Sequence, residues 1–392
     1  MGKSILMITE RFAPDLGGVA VSARKIAEYF CELDMQVHVF SWTKSLPAGQ
    51  LETKRVSTKT GKEILVYRLG LFGNLDFSLQ FSFNIFEWLF ETHSIDLVWG
   101  HYLFPAGFVG VSVAELNGKP SIVSARGNDI DRLMFPPGDF ARLQWTLERA
   151  SCITAVSQEL ARKTDMILGG KKPIRVLANV VDVNLFKPSY SQSNSGNCET
   201  ELTSPVLGFC GELRQKKGLP ILLETFDRLN QSHSARLMII GGIRTRENNE
   251  LSDFLADRPH LVDQITVTGN LNSPEKVCEQ INQCDIMLCP SLWDGVPNSI
   301  LESMACEKLV IASDAGGIPD IIHHSENGYL VSKHLLAKFS AAVQEVLDLP
   351  KHEKERVRAN ARRFCVELWD SKKHLSVLEQ IISDLLPEQS KD

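Results

Sequence analysis

The sequence predicts two doubly wound α/β domains joined by a polar linker, and three observations lead there. Short apolar runs alternate with segments of helical period along the 392 residues, the pattern of parallel strands covered on both faces by helices. Glycine pairs follow several of these runs, at the corners where open α/β sheets bind ligands. Near the middle the alternation stops at Ser189-Tyr190-Ser191-Gln192-Ser193-Asn194-Ser195-Gly196-Asn197 and then resumes, across a stretch too polar to pack.

With 43% hydrophobic and 23% charged residues the chain can fill two cores of ordinary size. A net charge of −6 speaks against general affinity for nucleic acid or anionic lipid, either of which needs a basic surface. The nine cysteines include no C-x-x-C pair, and Cys278, Cys284 and Cys289 lack the spacing of a zinc site. Most lie in apolar runs and read as small buried side chains of a protein in a reducing cytosol. The opening Met-Gly-Lys-Ser-Ile-Leu-Met-Ile-Thr-Glu enters a strand directly, with an apolar stretch shorter than that of a signal peptide.

Ile5 to Thr9 is the first strand, and Val21, Ile26, Phe30 and Leu33 space a helix after it. Gly17 and Gly18 stand at the turn between them, where missing side chains let a phosphate or sugar approach backbone amides. An ordinary tight turn uses the same pair, and the G-x-G-x-x-G dinucleotide spacing is absent. Further strands are expected at Val37 to Phe40, Ile64 to Leu69, Asp96 to Gly100, Ser121 to Ala125, Cys152 to Val156 and Ile174 to Leu177. The aromatic-rich run from Leu71 to Phe90 is interrupted by Asp76, Gln80, Asn84 and Glu87, so it reads as a helix buried on two sides and not as a membrane span. Two loops at carboxyl ends of these strands are candidate ligand contacts, His101 to Gly107 and Arg126-Gly127-Asn128-Asp129. His101 reads equally as a polar loop residue and as a substrate contact. Asp129 and Asp131 have the D-x-D spacing of a metal pair, unless Asp131 only caps the following segment.

The second series begins at Val206, and its first strand ends in Gly211-Glu212-Leu213-Arg214-Gln215-Lys216-Lys217-Gly218. Three cations between a strand end and a helix start are placed either to neutralise a diphosphate or to face solvent. Arg236 to Ile240 before Gly241-Gly242, and Ile265 to Thr268 before Gly269-Asn270-Leu271, supply the next strands and turns. Ile286 to Cys289 then feeds the loop Pro290-Ser291-Leu292-Trp293-Asp294-Gly295-Val296-Pro297-Asn298, after which Ile300, Leu301, Met304 and Ala305 keep helical period. Proline in the first helical position needs no N–H, so the helix is expected to begin at Val296 or its neighbour, with free amides facing the loop. Because Gly295 and Pro297 interrupt any continuous helix, Asp294 and Glu302 are set at two depths of one pocket. Taken singly, an Asp before Gly forms turns and an early Glu complements the helix dipole. Leu309 to Ser313 is a further strand ending in Gly316-Gly317-Ile318-Pro319, and Trp369 to Leu386 is the last helical pattern.

The Asp294-x7-Glu302 block closely resembles the E-x7-E region of retaining glycosyltransferases of family 4, and the resemblance extends over nearly the whole chain. It implies the GT-B fold, with two facing Rossmann-like domains. Residues 1–187 would form the acceptor-side domain, 188–204 the linker, 205–368 the nucleotide-sugar-binding domain, and 369–392 a C-terminal helix crossing back to pack on the first. It implies transfer of a sugar from a UDP-, GDP- or ADP-linked donor to a glycan, lipid-linked sugar or small-molecule acceptor. Anomeric configuration would be retained, transfer would take place in the cleft, and neither metal nor cofactor would take part.

By this resemblance Glu302 holds the ribose hydroxyls and Asp294 sits by the donor hexose, with Gly295, Val296 and Asn298 beside them. Lys217 matches the phosphate-binding lysine, Gly17 and Gly18 face the donor phosphates, and Asn270 and Leu271 lie where main chain meets the base. Asp294, Lys217 and Arg214 are the expected catalytic groups, Arg214 supplying the guanidinium that the family places where this chain has Glu212. His101, Arg126, Asn128 and Asp129 form the acceptor side, with Arg126 in place of the family's histidine. The resemblance points to a cytoplasmic enzyme, with room for peripheral contact at the inner face of the membrane and no nucleic-acid partner. Two other functions fit the pattern: a nucleotide-sugar epimerase of the same fold, and a non-catalytic sugar-nucleotide-binding subunit, toward which Asp294, Glu212 and Arg126 lean as departures. A new glycosidic product sets transfer apart from epimerisation, and slow donor hydrolysis by the chain alone sets catalysis apart from binding.

Overall fold

The computed structural model describes residues 2–15, 17–127, 129–189, 204–271 and 273–387. They form two compact units, Met1–Ala178 with His374–Asp392, and Asn179–Lys373. Among the described residues no helix is long and apolar enough to cross a membrane.

The first unit runs β1 (Ser4–Thr9), α1 (Gly18–Glu32), β2 (Gln36–Thr43), β3 (Leu51–Ser57), β4 (Glu63–Gly70), α2 (Leu75–Thr92), β5 (Leu97–His101), α3 (Phe108–Leu116), β6 (Ser121–Ala125), α4 (Asp129–Leu133), α5 (Pro137–Arg149), β7 (Cys152–Ala155), α6 (Gln158–Leu168) and β8 (Ile174–Val176). Its eight strands lie in the order β3-β4-β2-β1-β5-β6-β7-β8. Apolar runs such as Ile5-Leu6-Met7-Ile8 are buried on both faces, as parallel strands between helical layers must be. Local signals start the helices: Asn74 Oδ1 accepts from Phe77 N at 3.0 Å to cap α2, and Ser157 Oγ accepts from Leu160 N at 3.1 Å to cap α6.

Two readings of the sequence are corrected here. Strand β3 was not expected; it pairs antiparallel with β4 at the sheet edge. Its Glu52, Lys54 and Arg55 obscure the strand pattern and are the charges that keep an edge from pairing with another chain. Helix α2 is buried on one side only: Leu79, Ile85, Phe86 and Leu89 face the core, while Phe77 and Trp88 are nearly half exposed.

The second unit runs β9 (Val206–Cys210), α7 (Leu219–Asn230), β10 (Arg236–Ile240), α8 (Thr245–Ala256), β11 (Ile265–Val267), α9 (Pro274–Asn282), β12 (Ile286–Cys289), α10 (Asn298–Ala305), β13 (Leu309–Ser313), β14 (Tyr329–Val331), α11 (Phe339–Leu347), α12 (Lys351–Leu368) and α13 (Ser371–Leu385), the last entering the first unit at His374. All six strands are parallel, in the order β11-β10-β9-β12-β13-β14. Leu207, Phe209, Ile239, Leu288 and Ile311 meet Leu222, Phe226, Phe339 and Val343 in its core.

The boundary also differs from the expected one at 187. Residues 179–187 pack in the second unit because their polar groups find partners there: Asn179 Nδ2 donates to Val296 O at 2.6 Å, and Arg362 donates to the carbonyls of Phe186 at 2.8 Å and Val183 at 3.1 Å. Of the expected linker, residues 190–203 lie outside the described residues. Helix α13 contributes Leu378 and Ile381 to the core of the first unit, where Lys3 Nζ donates to Leu386 O at 2.6 Å and Arg175 pairs with Asp384.

Three buried histidines of the first unit lower its stability in acid, opposed by the carboxyls of Glu10 and Asp129, which burial raises. Burial, reinforced by His93, lowers His38 to about 4; burial, reinforced by Arg126 and Lys25, lowers His374 to about 3; burial and Arg126 push His101 well down. Each takes up its proton at lower pH than in the unfolded chain, so below about 6.5 the unfolded state binds more protons and stability falls with pH. Denaturation at pH 7.5 and pH 5 is expected to show a loss on the order of 1 kcal/mol per histidine. Equal stability at the two values would contradict this.

Candidate active site

Strands β9 and β12 are neighbours, but the connection from β9 leads to β10 on one side while β12 continues to β13 on the other. Loops leaving their carboxyl ends therefore diverge and open a crevice. After β9 the chain makes a tight helical turn at Gln215–Lys217 and enters α7 through Gly218, whose φ is +80°. A Cβ on Gly218 would lie 2.0 Å from the carbonyl of Pro290, so the loops after β9 and β12 touch along their backbones, and Leu292 N donates to Lys216 O at 2.9 Å. The loop after β13 closes against the same segment. Gly316, at φ +57°, would place a Cβ 1.6 Å from the carbonyl of Asp294, and Gly317 N donates to Gly295 O at 2.9 Å.

This backbone framework brings Lys217 and Asp294 into a direct ion pair, with side chains only 19% and 15% exposed. The other Asp294 oxygen accepts from Gly295 N at 3.0 Å. Burial pushes the Asp294 carboxyl up and the Lys217 ammonium down, but each partner's charge overrides this: the carboxyl lies below its ordinary value and the ammonium above. Lys216 also acts on Asp294, its own ammonium lowered by burial. Glu302 lies one turn into α10 and, with Lys217, acts on the Cys210 thiol at the end of β9, which burial pushes well up. Lys217 thus acts on the ends of two neighbouring strands, together with Glu302 on Cys210 of β9 and together with Asp294 on Cys289 of β12. Helix α10 begins at Asn298 with Pro297 as its cap, a residue or two later than expected, since Pro297 is extended at φ −67°, ψ 123°.

Arg214 pairs with Glu212 at 2.5 Å, and Glu212 also receives Arg244 at 3.1 and 3.3 Å. The expected substitution of Arg214 for the family arginine therefore meets a counter-charge from the residue that replaced it. Sequence reasoning missed Arg244, Glu247 and Glu250. Buried Glu247 accepts from Gln215 N at 3.0 Å and Glu250 accepts from Gln215 Nε2 at 2.8 Å, so two carboxylates on one face of α8 anchor the turn that ends in Lys217. Their i, i+3 spacing was visible, but without the β9–β10 pairing nothing linked it to residue 215. Asn270 Oδ1 accepts from Gly242 N at 3.1 Å and ties the loops after β10 and β11, with Leu271 next to it half-buried.

In the first unit Gly17 (φ +124°) precedes α1, and a Cβ on Gly18 would meet nothing within 4 Å, leaving the helix start open. Buried His101 sits 2.8 Å from Ser22 Oγ through Nε2. Ser22 Oγ also lies 3.1 Å from Val19 O, so the hydroxyl bridges the imidazole and the first turn of α1. Buried Asp129 accepts from the amides of Arg126 and Gly127 at 3.2 Å each and Leu103 at 3.4 Å. Burial raises its carboxyl against the pull of these amides, and burial lowers the Arg126 guanidinium to about 10, still charged at neutral pH. Asp131 turns instead to Lys163 at 2.8 Å. The two Asp side chains thus serve different partners, and among the described residues no group of three His, Cys, Asp or Glu side chains is arranged to hold a metal. Asn128 lies outside the described residues.

Known proteins match this architecture. The family described as glycosyltransferase family 4 matches residues 16–185, and that described as glycosyl transferases group 1 matches residues 204–348. Sucrose-phosphate synthase from Thermosynechococcus elongatus superposes with a TM-score of 0.81 at 17% identity, covering 98% of this chain and 99% of that one. Anabaena HepE, solved in complex with UDP-glucose, superposes at 0.74 with 18% identity over 97% and 100% of the two chains. The fold is therefore that of the GT-B glycosyltransferases. N-acetyl-alpha-D-glucosaminyl L-malate synthase of Bacillus anthracis is 23% identical over 382 residues, 95% of each chain. D-inositol 3-phosphate glycosyltransferase of Acidothermus cellulolyticus is 28% identical over 52% of this chain and 47% of its own. The chain belongs to the family 4, group 1 glycosyltransferases and is a sugar-transferring enzyme.

The contact between Gly316 and Asp294 can be tested against a glycine with similar φ and free space. Gly269 has φ +67° and nothing within 4 Å of its would-be Cβ. Gly269→Ala is expected to cost about 1 kcal/mol of backbone strain, and Gly316→Ala at least about 2 kcal/mol more, because the loops must part. Denaturant titration of the two variants measures the difference; equal losses would refute the close packing.

Proposed function

We propose that this glycosyltransferase takes its sugar from a nucleotide-diphosphate donor bound by the second unit, and transfers it with retention of anomeric configuration and without a metal. The observation that carries the reading is the convergence of Lys217, Lys216, Asp294 and Glu302 at the switch-point crevice. A leaving nucleoside diphosphate gains negative charge as the glycosidic bond breaks, and preoriented cations in a partly dry site stabilise that charge without reorganisation. Lys217 and Lys216 supply it directly; Arg214 and Arg244, tied to Glu212, set the field around them.

Glu302, a turn below the loop, suits two ribose hydroxyls, and Asp294 a hexose hydroxyl. Asp294 is one methylene shorter than the family's Glu and reaches about 1 to 1.5 Å less far, the margin between a direct hydrogen bond and a bridging water. Held by Lys217, Asp294 is a weak base. The acceptor's proton is therefore better taken by the departing phosphate oxygen, with attack on the face the leaving group vacates. The first unit, through the Gly17–Gly18 turn and the loops of His101, Arg126 and Asp129, is proposed to receive the acceptor. The charged Arg126 suits an anionic acceptor. The HepE complex with UDP-glucose and the malate-linked product in the name of the B. anthracis relative support this assignment. A cytoplasmic location goes with it, with membrane contact if the acceptor is lipid-linked.

A thermal-shift panel of UDP, GDP, ADP and their sugars tests the donor class: one base is expected to stabilise the chain, and none doing so would overturn the reading. Glu302→Ala should then weaken the selected nucleoside diphosphate by tenfold or more, on the order of 1.4 kcal/mol, through loss of a charged acceptor. Unchanged affinity would remove Glu302 from the ribose. Lys217→Ala should lower kcat by tenfold or more with a smaller change in KM, in buffer with or without EDTA. A proportional change confined to KM would make Lys217 a binding group only, and rescue by magnesium after EDTA would refute the metal-free mechanism.

A further inference from the structure

We propose that Asp294 is the residue by which the donor site discriminates against the sugar-free nucleoside diphosphate, by competing with its terminal phosphate for Lys217. The proposal rests on the reading that Lys217 faces the donor diphosphate. Its own support is the position of the carboxylate. The ion pair joins side chains that are each less than one-fifth exposed, so water screens it poorly. Any anion that binds Lys217 must displace this carboxylate or lie beside it.

Asp294 cannot withdraw to make room. Its carbonyl lies in contact with Gly316, Gly295 O accepts from Gly317 N at 2.9 Å, and Val296 O is held by Asn179 Nδ2 at 2.6 Å. The loop from Asp294 to Val296 is therefore pinned within the same unit. A side-chain rotation remains, and it needs a new partner for the oxygen that leaves Lys217.

The two ligands answer that need differently. A nucleotide sugar ends in a ring whose hydroxyls donate hydrogen bonds, and its β-phosphate, bridged to the α-phosphate and esterified to the sugar, carries a single charge. The free nucleoside diphosphate ends in a monosubstituted phosphate, bridged only to the α-phosphate, that carries nearly one additional charge above about pH 6 and has no sugar hydroxyl to offer at that end. Asp294 thus gains donors from the first and meets only like charge from the second. After transfer the same carboxylate returns to Lys217 and helps expel the product.

Calorimetric titration of the full chain with the stabilising nucleoside diphosphate and with its sugar conjugate tests this. Asp294→Asn keeps size and removes charge; the free diphosphate is expected to bind at least about fivefold tighter while the sugar conjugate binds no tighter, a change in their affinity ratio that Asp294→Ser should reproduce. Asp314→Asn removes a carboxylate from the adjoining loop, whose Oδ1 accepts from Lys333 N, and should leave the ratio unchanged. A ratio unmoved by Asp294→Asn and Asp294→Ser, while the wild type binds the diphosphate, overturns the proposal and leaves the donor reading standing. An equal shift from Asp314→Asn also overturns it, since a general field and not competition for Lys217 would then be at work. No binding of any nucleoside diphosphate or nucleotide sugar by the wild type removes both.

Discussion

The parallel pairing of β9 with β12 is the constraint on which the second unit's chemistry depends. Residues 206–210 and 286–289 are about eighty positions apart, and only their adjacency in one sheet brings the Lys217 loop against the Asp294 loop. The sheet places the loops within reach, and two glycines let them touch. At Gly218 and Gly316 the neighbouring carbonyls leave no space for a side chain, so backbone amides and carbonyls pack where other residues would hold the loops apart.

Electrostatics is layered on this framework. A lysine in a pocket loses hydration and resists charging, yet Lys217 is held above its ordinary value because Asp294 sits opposite. The pair keeps both groups ionised and ready for ligand without leaving either charge buried alone. Around it, Glu212 shares Arg214 and Arg244, and Glu247 with Glu250 anchors Gln215. Carboxylates thus orient the cations of the loop while limiting their net charge. The first unit uses its polar groups in another way: buried Asp129 gathers three amides and His101 locks onto Ser22, giving ordered loop ends at the carboxyl edges of β5 and β6.

Departures from the expected pattern take on meaning in this setting. Glu212 stands where an arginine is usual, and the structure gives it two guanidinium partners instead of leaving a lone negative charge in the loop that leads to Lys217. Asp294 replaces a longer carboxylate and reaches Lys217 directly.

The strands of both sheets, apart from β3 and β14, were legible because fully buried parallel strands must be nearly continuous apolar runs between glycine or proline turns, and those runs carry their own signal. Asp294, Glu302 and Lys217 were singled out by the resemblance of their short stretches to the family 4 pattern, and the structure joins Lys217 and Asp294 in one ion pair. Strand β3 was hidden by its charged edge. The place of residues 179–187 was hidden because their partners, Val296 and Arg362, are far along the chain. The sequence alone determined the fold class and which loops carry charge, since both follow from local periodicity and residue type. Only the tertiary structure decided which charge answers which, pairing Lys217 with Asp294, Arg214 and Arg244 with Glu212, and Glu247 with Gln215, because such pairings depend on through-space distances that sheet order and backbone contact impose.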